Sequence, residues 1–137
     1  MLHEIIKTVS HSAVDYFNDE KRDNFNDGKR MEVNVGNICL VWEGPFAKAQ
    51  LCICERDPYG NPDVNNGEWM DVSGYLVGDK RPHNWFGRLV SDMAYNVAML
   101  IDVDEDERQD MLDELEYRQQ YLDDYDWYYD YKLPEGD

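Results

Sequence analysis

Positive charge is scarce in this sequence: thirteen Lys and Arg stand against thirty Asp and Glu in 137 residues, a formal net charge of −17. A surface so anionic repels phosphate, which excludes direct nucleic-acid binding. Long apolar runs are missing too, and none approaches the roughly eighteen residues that a membrane-spanning helix needs. The opening Met1-Leu2-His3-Glu4 has neither the basic patch nor the apolar stretch of a signal peptide, so a soluble cytoplasmic protein with no membrane contact is expected. Cysteines number three, Cys39, Cys52 and Cys54, an odd count that favours reduced, packed thiols over a disulfide framework. His3, His11 and His83 stand at no zinc-finger spacing from them. Also absent are a Gly-rich phosphate loop, a nucleophile elbow, a His-Glu-x-x-His pair and a Cys-x-x-Cys pair; no enzyme activity, cofactor or metal is expected.

What is present suffices for a folded core. Aromatics make up 13% of the chain and apolar residues 42%, too much for a disordered acidic tail, and the length fits a single domain over residues 1–137. Leu2, Ile5, Ile6, Val9, Ala13, Tyr16 and Phe17 recur at helical spacing and predict a first helix over residues 2–26, with His11 on its wet side. Met31, Val33 and Val35 alternate with polar neighbours, Gly36-Asn37 turns the chain, and Ile38 to Trp42 is nearly all apolar, which reads as a β-hairpin. A third strand follows over residues 47–54 and a fourth over 68–77, separated by a long polar loop, 56–67. That loop is no EF-hand, because Asn66 stands where the turning Gly belongs and Val72 where the bidentate acid belongs. Pro82 and Asn84 suit the entry to a second helix, whose apolar face runs from Phe86 through Leu89, Val90, Met93 and Val97 to Ile101. The predicted fold class is α+β: an N-terminal helix, a three- to four-stranded antiparallel sheet and two C-terminal helices packed on one sheet face, the last long and acidic.

The acidity is localised. Residues 102–137 hold fifteen acids and three bases, a net of −12, which leaves −5 for the first 101 residues. On a helical wheel Met111, Leu112, Leu115, Leu122, Tyr125 and Tyr129 share one side, expected to dock on the sheet or on the first helix. Glu105, Asp106, Asp113, Glu116, Asp123, Asp124 and Asp130 gather opposite. Asp102, Asp104, Asp106 and Asp113 resemble EF-hand positions only superficially, since Glu107 replaces the turning Gly. A glycosidase-like carboxylate pair is disfavoured because nothing drives two pKa values apart on a solvated face. Thirteen acids over residues 102–130 span about 44 Å as a helix, one carboxylate per roughly 3.4 Å of axis, and phosphates along one DNA strand are also spaced by about 3.4 Å. Tyr and Trp between Tyr117 and Tyr131 add flat surfaces for a partner's arginines. The same pattern also describes a merely solubilising outer face, but like charges crowded on one face cost stability that a cationic partner would relieve.

In charge and in its Asp/Tyr/Trp tail over residues 123–130, the chain resembles, at class level, the small acidic DNA-mimic proteins of phages and mobile elements, of the anti-CRISPR and anti-restriction type. That resemblance implies an inhibitor that occupies the basic DNA- or RNA-binding channel of a host nuclease or effector complex, in the host cytoplasm if phage-encoded. The candidate partner-binding residues are Asp106, Asp113, Glu116, Asp123, Asp124, Asp126 and Asp130 as phosphate surrogates and Tyr121, Trp127 and Tyr128 as anchors. The 56–67 loop is a candidate second contact. Two alternatives stay open: an immunity protein or antitoxin neutralising a basic toxin, and an acidic structural or adaptor protein, as a homodimer through its Met/Tyr stripe.

Overall fold

In the computed structural model, residues 2–22, 30–44, 48–77, 80, 82 and 84–124 are described, with helical side chains described as far as Phe17 and Tyr117. Helix α1, Leu2–Arg22, buries the stripe its spacing predicts, with Leu2, Ile5, Val9, Ala13, Tyr16 and Phe17 inside and His3, Glu4, Lys7, His11 and Asp15 exposed. Four strands follow in a meander: β1 Arg30–Val35, β2 Ile38–Glu43, β3 Gln50–Glu55 and β4 Glu68–Asp71. Their spatial order is β1-β2-β3-β4, every pair antiparallel. Gly36, at φ +59°, makes the tight β1–β2 turn without the clash a Cβ would bring in that left-handed region. Helices α2, Trp85–Leu100, and α3, Glu105–Asp124, follow. The fold is therefore α+β: an N-terminal helix, a four-stranded antiparallel sheet and two C-terminal helices.

Strand alternation puts Ile38, Leu40 and Trp42 of β2 and Leu51 and Ile53 of β3 on the sheet face that meets α1 and α2. Trp42 is the hub of that core. It is fully buried, its ring stacks on Tyr16 at 5.3 Å and meets Phe17 edge-on at 5.4 Å, and its indole N–H donates to Ser12 Oγ at 3.2 Å. Phe17 in turn touches Trp85 of α2, so one aromatic cluster joins the sheet to both helices.

The opposite sheet face is also buried, under the 56–67 loop. Cys39, Val41, Cys52 and Cys54 lie there with Val64 packed against them, and a Cβ on Gly67 would sit 2.5 Å from Cys52 Sγ, so only glycine lets the chain pass this close. All three cysteines are free thiols. Burial raises the pKa of each, and that of Cys52 is pushed up to about 12. Unfolded thiols ionise near the ordinary value of 9.0 while the folded protein keeps Cys52 protonated to about 12. Across that window the folded state binds more protons, so these groups add stability below it that is lost as pH rises through it. The expected outcome is a urea midpoint that falls above pH 9.0 and falls less in Cys52→Ala, with thiols that react with an exchange reagent only on unfolding.

Two expectations are corrected. The fourth strand ends at Asp71 instead of reaching residue 77, because a 3₁₀ turn, Val72–Tyr75, tucks Val72 into the core. Among the described residues helix α3 docks on α2, with at most sparse contact to the sheet or α1. The short link from Ile101 to Asp104 folds the two helices into a hairpin, and α1 and α2 already cover the sheet.

Candidate partner-binding face

The helical hairpin is built by polar contacts at its bend. Asn37 of the β1–β2 turn accepts the Asp102 amide at 2.9 Å, and Ile101 is buried beside Gly36. Asp104 caps α3, its Oδ1 accepting the Glu107 amide at 2.8 Å, while Glu105, Asp106 and Glu107 in the first turn complement the helix macrodipole. Arg108 reaches back to α2, donating from its guanidinium to the carbonyls of Ala98 at 2.6 Å and Ile101 at 3.1 Å. It satisfies acceptors that a helix C-terminus leaves open. Met111 and Leu115 then fill the interface. Arg108→Met, which keeps the stem and loses these bonds, is expected to cost about 2 kcal/mol in urea unfolding.

Outward, the first half of α3 and the link before it carry a run of carboxylates. Asp102, Asp104, Glu105, Asp106, Asp110, Asp113, Glu114 and Glu116 are all exposed. Arg108, the cation whose side chain is described in this helix, is mostly buried, with Glu105 3.6 Å away as its ion-pair partner. Its single positive charge offsets one of these acids and leaves the others uncompensated by any described cation of the helix.

Of the predicted contact residues, Asp106, Asp113 and Glu116 are exposed on α3. Tyr121, Asp123 and Asp124 belong to its last turns, with their side chains outside the described residues. Asp126, Trp127, Tyr128 and Asp130 lie outside the described residues altogether.

Asp113 and Glu116 do not point directly away from the core as the wheel implies. They flank a cleft of about 290 Å³ between α2 and α3, across from Ser91, Asp92 and Tyr95, with Leu112 also in its wall. Those α2 residues were missed by sequence reasoning. Their signal was available: Arg88, Asp92 and Tyr95 fall at i, i+4 and i+7, the polar stripe of an otherwise apolar helix. Asp92 Oδ2 accepts the Tyr75 hydroxyl, whose pKa is raised by burial and by this bond. Gln109 donates to Asp113 Oδ1 at 2.9 Å.

No family model, curated protein or solved structure matches this chain. Its function must be read from its own surface.

The 56–67 loop is held firmly. Asp57 Oδ1 accepts the amides of Tyr59 and Asn61, both at 2.9 Å, and Arg56 donates to the Gly60 carbonyl at 2.7 Å and to Asn34 Oδ1. This turn displays Tyr59 at 90% exposure. Among the described residues no helix is long and apolar enough to cross a membrane.

Proposed function

We propose that this chain is an acidic inhibitor that mimics nucleic-acid phosphates and blocks the basic DNA- or RNA-binding channel of a host defence nuclease, of the anti-CRISPR or anti-restriction type. One observation carries the reading. Glu105, Asp106, Asp110, Asp113, Glu114 and Glu116 are exposed along a helix anchored to the core, while Arg108 is turned inward onto the carbonyls of Ala98 and Ile101. Carboxylates carried on a folded helix present charge with no backbone left to order on binding, which favours competition with a phosphate backbone. Tyr59, on its hydrogen-bonded turn, supplies a second contact that distinguishes one basic partner from another.

The test is displacement. Proteins captured on the immobilised chain are challenged with labelled duplex DNA or RNA; the partner should release its nucleic acid when this protein is added, and capture should weaken steeply with salt. A partner that keeps its nucleic acid while bound to this chain would overturn the reading, and a captured basic toxin inhibited without any such competition would favour an immunity role.

A further inference from the structure

The cleft between α2 and α3 has a chemistry that the outer acidic row lacks. Its walls bring carboxylates from two helices together, Asp92 from α2 and Asp113 and Glu116 from α3, and no Lys or Arg lines it. Asp92 Oδ1 and the Glu116 carboxylate have no hydrogen-bond or ion-pair partner among the described residues. Tyr95 lies half-exposed in the same wall. A further, independent feature is Ser91. Only 6% exposed and lining the cleft, its hydroxyl makes no hydrogen bond among the described residues, whereas the buried Ser10 and Ser12 of α1 each bond a carbonyl of their own helix. A buried hydroxyl left unmatched is unfavourable until a ligand completes it.

We infer that this cleft seats an arginine side chain of a protein partner, its guanidinium held by Asp92, Asp113 and Glu116, bonded to the Ser91 hydroxyl and stacked on Tyr95. The inference deepens the inhibitor reading and rests on it. Arginine fits better than lysine because acceptors on two helices call for several diverging N–H donors and a flat cation, not a compact point charge. The Tyr95 ring supplies the stacking surface.

The experiment titrates the full ¹⁵N-labelled chain at low salt with two capped tripeptides, Gly-Arg-Gly and Gly-Lys-Gly. The expected result is saturable shifts centred on the amides of residues 91–95 and 112–116 with the arginine peptide and weaker binding of the lysine peptide. Ser91→Ala and Tyr95→Leu should each weaken the arginine peptide about fivefold, with amide positions elsewhere unchanged to show that both variants fold. Equal binding of the two peptides, shifts spread evenly along α3, indifference to both substitutions, or no shift at all would each overturn the seat. A stronger response of the same amides to magnesium or calcium chloride would overturn it in favour of a metal site. Displacement by the whole protein is measured separately, so the acidic-face reading survives if only the seat fails, and falls if the captured partner keeps its nucleic acid.

Discussion

Trp42→Ala is expected to lower folding stability by about 3–5 kcal/mol, the range for losing a large buried aromatic. The indole has no exposure, so its whole apolar surface returns to the balance. Its removal also breaks two ring contacts that tie the sheet to α1 and withdraws the N–H donated to Ser12. Ser12 retains a bond to the Val9 carbonyl, so no buried hydroxyl is stranded and the cost is mainly that of the cavity. Trp42→Phe keeps part of the stack and should cost about half as much. Urea unfolding followed by far-ultraviolet circular dichroism measures both. A loss below about 1 kcal/mol for the alanine variant would mean that the aromatic cluster does not hold the layers together.

The second large effect concerns binding. Reversing Asp106, Asp113 and Glu116 together to Lys turns three exposed negative charges positive, a change of +6 on the described part of α3. Electrostatic steering alone accounts for about 10–10³-fold in association rate, and charges opposed across an interface add to the loss. Capture of a basic partner should therefore weaken by at least about 10²-fold at low salt, with a flatter salt dependence. Folding should change little, because these side chains are exposed and the relief of mutual repulsion offsets the macrodipole complement that Asp106 gives up. Surface plasmon resonance at several salt concentrations, beside urea unfolding of the same variant, separates the two outcomes. A variant that binds as tightly as the original chain would remove the acidic face from the mechanism.

Much of the architecture was legible because its signals are local. The 3.6-residue stripe from Leu2 to Phe17 appears as the buried side of α1, and alternation around Gly36-Asn37 appears as the β1–β2 hairpin in its register. Asp104, whose carboxylate accepts the Glu107 amide at the start of α3, is a capping signal of the same local kind. Other features escaped for a physical reason. A wheel shows that Met111 and Leu115 face one way, but it cannot show which neighbour receives them, so α2 was not anticipated as the partner. Likewise, Cys52 and Cys54 share a strand face in any reading, yet that face is buried only because Gly67 lets the loop return across it.

The candidate site divides along the same line. Composition and order along the chain determine where the negative charge resides: an acidic helix that alternates with too few bases to cancel it stays anionic however it packs. Which acids act together was decided by the tertiary structure. Arg108 grips the end of α2 and lays α3 along it, so Asp113 and Glu116 face Asp92, Tyr95 and Ser91, residues some twenty positions earlier in the chain. Charge is a sum over residues and survives any rearrangement of the fold, whereas a cleft exists only where two helices meet, and that meeting depends on long-range packing.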